Sequence, residues 1–531
     1  TNAGGLAGSG TVVYINCVQA GDVTSNGYRV YAFPGMTDGS TGNTLELTVT
    51  GTAGQVVAYG SQSFTLDGTN SVTFFIPVVY DGGTVENNGF SYDEHLTVDG
   101  TRLDWYNTTS TTLTANLNTS TAENLDTPFQ SWTDALVLMT EDHLVALQKA
   151  INEGDETSID TLYQLGGREA PTNHDEARLI LQTAYYKLGN DITVADTAFT
   201  GIGSGSYPFG GHLDGQEHTV TLTLNLTGTS DSYFGLFGNI DVVGGSEAVL
   251  RSLKVTSTIT ASSSTATVYV GGLAGRINHN ALQLEDVAVT VNGITATSTS
   301  TSTSASLQVG GLFGSGSVPA DSTVSLTVAG AISGTGKAGS VYAGGAMGNG
   351  SVYSPITVIF EDSAAVTAKN TGGAADSGGL IGYFASGSVD LRGSKLVNNT
   401  SNAVNITSDA SSLAYAGGWV GQTAAATSAP DDWLYVDGTT VVTGDFNVTA
   451  TSESSTANAG GIAGRVATSF SVLVMDYTNE IPVTGKYAGG LFGDLATGKV
   501  VTLNNSGNNA EIEGTSSYAG GLIAAAGSGT V

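Results

Sequence analysis

The chain has 531 residues, 40% of them apolar, and a mean hydropathy of +0.07, which is enough to fold around a core. Only 12% are charged, 16 Lys and Arg against 47 Asp and Glu, for a formal net charge of −31. So acidic a surface repels phosphate backbones and anionic lipid heads, and it excludes nucleic acid and membrane surfaces as expected partners.

No apolar run approaches the roughly 18 residues that span a bilayer, and no basic stretch followed by an apolar one opens the chain. Membrane insertion by this segment is not expected. Any export signal is expected to have been removed or to lie outside it. Cys17 stands alone, so an intrachain disulfide and a Cys-based zinc site are both excluded.

In chain order, residues 1–13 carry Gly4-Gly5-Leu6-Ala7-Gly8, a pattern that returns much later. Residues 14–121, entered through the run Val12–Val18, hold alternating runs at Tyr28–Phe33, Thr44–Val49, Ser71–Val79 and Arg102–Tyr106, divided by turn clusters such as Asp38-Gly39 and Asp81-Gly82-Gly83. They read as one β-sandwich of immunoglobulin-like shape. In residues 122–189 one helix is expected: Thr140 caps it, Glu141 and Asp142 suit its positive end, Leu144, Leu147 and Ile151 share a face, and Gly154 ends it. Its expected role is to cover the open first coil of the repetitive region beyond it.

Residues 190–531 are repetitive. Writing Φ for an apolar residue, Gly-Gly-Φ-Φ-Gly begins at Gly271, Gly310, Gly344, Gly378, Gly417, Gly460 and Gly489. Phe234-Gly235-Leu236-Phe237-Gly238 opens the series and Gly520-Gly521-Leu522-Ile523-Ala524 closes it. The glycines before the first Φ, at 235, 272, 311, 345, 379, 418, 461, 490 and 521, are separated by 37, 39, 34, 34, 39, 43, 29 and 31 residues. Nine copies at variable intervals, with runs such as Thr323–Val328 between them, indicate a solenoid of about three strands per coil whose turns accept insertions. The expected fold is therefore all-β: a right-handed parallel β-helix preceded by the sandwich and a short capping helix. Glycine at each corner is expected to allow close approach and positive φ, with one or both Φ residues filling the interior.

The series resembles the GLUG-type repeat of bacterial cell-surface proteins, from about Leu188 to the end. Its opening is the most specific part: Asn190-Asp191-Ile192, Ile202-Gly203, Phe209-Gly210-Gly211-His212-Leu213-Asp214-Gly215 and Gly235-Leu236-Phe237-Gly238 follow in the family's order. The resemblance implies a solenoid start near Asp191 and display outside the cell. It names no activity, because such repeats are scaffolds.

No catalytic set emerges. The acidic pairs Glu285-Asp286, Glu361-Asp362 and Asp431-Asp432 read as solvated turns and edges, the solenoid's cations are scattered, and His212 and His218 around Asp214 and Glu217 have no metal-site spacing. No enzyme, cofactor or metal is expected. Trp105-Tyr106, and Trp433 with Tyr435, are the aromatic sets suited to sugar recognition, with core packing the expected reading of each. The stray copy at Gly4, Gly5, Leu6 and Gly8 leaves three destinations open: this chain's own solenoid, the end of a preceding solenoid in a longer protein, or the last coil of a neighbouring subunit, at Gly520, Gly521, Leu522 and Ile523. The expected protein is an extracellular or cell-surface structural one, a filament or stalk subunit joined by strand addition to copies of itself. The alternatives are an adhesin segment binding a glycan or host protein and, more weakly, a polysaccharide-cleaving β-helix.

Overall fold

In a computed structural model of the chain, residues 128–526 are described apart from gaps at 196–197, 229, 246, 279–281, 362, 385–387, 424–431, 454–455, 468–469 and 497–499, together with the strands named here before residue 128. The chain divides into two units, Thr1–Asp134 and Ala135–Val531.

Among the described residues, the first unit contains two sheets. In the larger, Asn43–Thr50 and Thr84–Asn87 pair antiparallel with Ser71–Asp81, while Ala3–Gly4 on Arg29–Tyr31, Arg29–Tyr31 on Ser71–Asp81, and Thr112–Asn116 on Asn43–Thr50 run parallel. The smaller is antiparallel throughout, in the order Gln62–Thr65, Val56–Tyr59, Leu96–Val98, Thr101–Leu103. The run with Cys17 and the pair Trp105-Tyr106 lie outside the described residues.

The second unit is almost entirely parallel β. A 24-strand parallel sheet, a 9-strand parallel sheet and two smaller ones together wrap the chain into stacked coils. Three short helices precede most of the stack: α1 (Glu141–Glu153), α2 (Glu156–Leu165) and α3 (His174–Thr183). The α1 helix forms for the expected local reasons: Thr140 accepts from His143 N, Gly154 closes it with φ +69°, and Leu144, Leu147 and Ile151 are buried. Two helices and two strands were not anticipated. Leu136–Leu138 and Tyr185–Leu188 already pair in parallel, so the sheet begins before residue 190. These strands are three and four residues long and separated by helices, so no repeat announces them.

Register follows the motif. Gly271, Gly310, Gly344, Gly378, Gly417, Gly460, Gly489 and Gly520 stack in one column, each paired with the next. The second Φ makes another, from Phe237 through Ala274, Phe313, Met347, Ile381, Val420, Ala463 and Phe492 to Ile523. From Phe237 to Phe492 every residue of this column is fully buried, and so is the first Φ from Leu236 to Leu491, so both apolar residues fill the core.

A coil has four strands rather than three: Val324–Val328, Ala331–Gly336, Ser340–Gly344 and Met347–Val352 form one. The motif is a bend joining two strands, not a strand of its own. Positive φ is not what its glycines supply, since none of them has it. They supply space: a Cβ at Gly345 would fall on the Gly379 carbonyl of the next coil, and one at Gly348 on the Val309 amide of the previous coil, both closer than 3.0 Å.

Candidate functional site: a tyrosine-rich stripe at the glycine corner

Of the residues expected to serve assembly, Gly520 pairs with Gly489 and Ile523 with Phe492, and the Leu522 carbonyl accepts from Leu491 N and Phe492 N at 2.8 and 3.0 Å. They belong to the last described coil. Ile512–Gly520 is mostly exposed, because no described coil lies beyond it. Gly521 is the exception in its column. A Cβ at Gly490 would meet the Gly521 carbonyl, but one at Gly521 would meet nothing within 4 Å. Ala3–Gly4 forms a parallel pair with Arg29–Tyr31 at an edge of its own sheet, and Gly5, Leu6 and Gly8 lie outside the described residues.

The corner itself creates a second site. The closing glycine of each motif lets the strand after the bend approach the strand before it. Two outward columns therefore run side by side: the residue two before the first glycine and the residue directly after the last. The first reads Tyr233, Tyr269, Gln308, Tyr342, Asp376, Tyr415, Asn458, Tyr487, Tyr518. From Tyr269 to Tyr487 it alternates tyrosine with a hydrogen-bonding acceptor. The second column contributes Arg276, Tyr383, Gln422, Arg465 and Asp494.

The columns interlock. The rings of Tyr342 and Tyr383 stack at 4.3 Å and those of Tyr233 and Tyr269 at 5.0 Å. Arg276 lies over Tyr269 and Arg465 over Tyr415, at 5.9 and 5.5 Å from the ring centroids. Gln422 links Asp376 to Arg465: its Nε2 donates to Asp376 Oδ2 at 3.1 Å and its Oε1 accepts from Arg465 Nη1 at 3.0 Å. Arg465 Nε sits 3.3 Å from Asp494 Oδ2. Asp376 is 1% exposed, and its Oδ1, like Gln308 Oε1 and Asn458 Oδ1, is buried without a hydrogen-bond partner. Burial drives the Asp376 carboxyl well above the usual carboxylate range, against the opposing pull of Arg465. Burial likewise raises Asp494 and lifts the Tyr342 hydroxyl well above its ordinary value.

This stripe escaped the sequence reading, which treated Arg276 and Arg465 as scattered cations. Its signal was present: aligning the nine motifs and reading two places upstream yields the tyrosines directly. What alignment does not reveal is that the two columns touch.

The other aromatic set departs from expectation. Trp433 and Tyr435 are half-buried and face outward, while Leu434 and Val436 between and beyond them fill the core. Their rings lie 5.4 Å apart and near-parallel, with Arg392 5.0 Å over Tyr435 and held by Asp390. Strand alternation decides this: one side of Asp432–Val436 must supply the core, and its smaller aliphatic residues do. Trp419, by contrast, is fully buried.

Around His212, Asp214 is committed to structure. It accepts from Gln216 N at 2.9 Å and pairs with Arg251 at 2.7 Å, and the turn runs through positive φ at Gln216 and Glu217. His212 is held neutral, its pKa lowered to about 4 by burial and by Arg251. His218 instead sits 3.3 Å from Asp191. Glu285 and Asp286 are exposed within the strand Leu282–Ser298, whose backbone takes φ +57° at Asp286.

No family model matches the chain, and no curated protein is significantly similar to it. Among solved structures, a "putative immunoglobulin A1 protease" from Bacteroides ovatus aligns over 75% of this chain and 86% of its own, at 13% identity and a TM-score of 0.27. A likeness so slight carries no function across.

Proposed function

We propose that this chain is a non-catalytic, extracellular or surface-displayed structural protein of adhesive type, as its GLUG-like repeats imply, in which the parallel stack serves as a stiff stalk lengthened by strand addition. Parallel ladders in register over nine motifs support the stalk, since each coil contacts only its neighbours and more coils add length without a new core. The right-handed helix and the immunoglobulin-like sandwich belong to the same reading. The observation that carries it is the register of the stack: the motif columns run through to Ile512–Gly520 and Ile523–Ala526, each of which has one edge without a partner among the described residues. Such an edge accepts another strand of the same kind. Segment 4–8, bearing the same motif, is the proposed occupant, supplied by a neighbouring copy. Its Ala3–Gly4 pairing with Arg29–Tyr31 occupies one side of that short strand.

Gly521 makes the reading testable without disturbing the fold. Because a Cβ there meets nothing within 4 Å among the described residues, Gly521→Val should leave the monomer's melting unchanged yet stop a further coil from seating. Sedimentation velocity over a concentration series should show oligomers for the natural chain, and loss of them for Gly521→Val and for deletion of residues 1–13. Oligomers that survive both changes would refute strand addition at this end.

An adhesin reading in which the solenoid binds a glycan or host protein is favoured by the half-buried aromatic and polar side chains of the stripe, which a purely mechanical stalk does not require.

A further inference from the structure

We propose that the stripe beside the glycine corner, centred on Tyr342, Tyr383, Gln422 and Arg465, is a binding groove for an uncharged glycan chain. The inference rests on the adhesive reading and assigns it a site and a ligand class.

Charge narrows the ligand first. With a net charge of −31, the chain as a whole disfavours polyanions. Arg276 and Arg465 lie within the stripe and disfavour a cationic ligand there. A neutral ligand remains.

Shape and chemistry narrow it further. Tyr342 and Tyr383 form a stacked pair set between coils, a rigid aromatic surface of the kind that packs against the C–H faces of sugar rings. Next to it, the relay from Asp376 through Gln422 and Arg465 to Asp494 fixes an amide and a guanidinium by their inner bonds. Groups held this way lose little freedom when they bond hydroxyls. Beneath them, the polar side chains of Gln308, Asp376 and Asn458 recur every second coil and are buried, so they back the stripe while the tyrosines, Gln422 and Arg465 face a ligand.

Repetition selects a polymer. The columns rise by about 4.8 Å per coil, so equivalent contacts recur along one line rather than converging on one point. At the first coil the line reaches an open cleft of about 580 Å³ that includes Asn152, Ser204, Ser206, Asp231 and Tyr233, a lining rich in hydroxyls and without a cation.

Affinity electrophoresis of the full chain through gels containing soluble mannan, dextran, xylan or galactan, one polymer each, tests this. Retardation by at least one is expected, with Tyr383→Ala and Gln422→Ala each weakening it up to about tenfold and Tyr383→Phe retaining it. Unchanged circular dichroism and melting for these half-exposed positions would keep a folding defect from imitating the loss. Trp433→Ala should leave retardation intact. Loss with Trp433→Ala but not with the stripe variants would overturn the stripe and leave an adhesin that binds elsewhere. No retardation by any polymer, or retardation by all four that added salt abolishes, would overturn the glycan assignment, while the sedimentation experiment judges the stalk independently.

Discussion

Trp419 and Tyr477 meet inside the stack 58 residues apart, the indole Nε1 donating to the Tyr477 hydroxyl oxygen at 3.2 Å. Among the described residues Trp419 is the largest fully buried side chain, and it occupies a motif position where the other coils place Leu, Ile or Ala. A buried indole N–H needs an acceptor, and Tyr477 supplies it from the coil above while its own hydroxyl, desolvated, is pushed up to about 12. Tyr477→Phe removes the acceptor and keeps the ring. It should cost about 1–3 kcal/mol, seen as faster hydrogen–deuterium exchange in the coils around Trp419 and Tyr477. Exchange unchanged there would show that the bond adds nothing to stability.

Two glycines of one column should respond differently to the same change. Gly345→Ala drives a methyl onto the Gly379 carbonyl, whereas Gly521→Ala enters open space. Overpacking of this kind costs about 1–3 kcal/mol, so the melting temperature should drop for Gly345→Ala and hold for Gly521→Ala. Equal responses would mean that backbone freedom, not space, is what the motif glycines provide.

Asp376 gives the stack a pH dependence of known sign. Its carboxyl is raised in the folded chain by burial, with Tyr342, Tyr383, Tyr415 and Arg465 around it and Arg465 acting in the opposite direction. A raised folded value means that the neutral form is the stable one. Its contribution is fully present below the ordinary carboxylate range and declines as pH rises through the folded value. Asp376→Asn keeps the shape and cannot ionise, so it should match the natural chain near about pH 4 and exceed it in melting temperature increasingly toward about pH 8. A difference constant across that range would show that Asp376 does not titrate as its burial requires. Asp494, also raised, moves in the same direction and is common to both proteins.

Trp433→Ala and Tyr435→Ala act on the outer face. Their core neighbours Leu434 and Val436 remain in place, so each should cost only about what the stacked pair contributes, about 0.5–1.5 kcal/mol. Leu434→Ala, one residue away and fully buried, should cost about 2–5 kcal/mol. Thermal melts of the three variants side by side check the assignment of faces.

Most of the second unit was legible from the chain alone, and for a physical reason. Stacked identical coils must repeat whatever the tightest point of the coil requires, and the tightest point here tolerates no Cβ, so glycine marks every turn of the chain. The α1 helix was equally legible, because Thr140, Leu144 and Gly154 act within one short segment. What stayed hidden depended on contacts between segments. The strands Leu136–Leu138 and Tyr185–Leu188 find each other across three helices, and nothing local records that pairing. The four-strand coil was hidden because a bend and a short strand look alike in sequence.

By itself, then, the sequence determined a stack of parallel coils, its spacing and its acidic exterior, since those depend on residue type and period alone. Only the tertiary structure decided which side chains outside the core become neighbours. Tyr342 meets Tyr383, and Gln422 lies between Asp376 and Arg465, because a bend without side chains folds two strands together. Sites made from opposite sides of a turn exist only once that turn has closed.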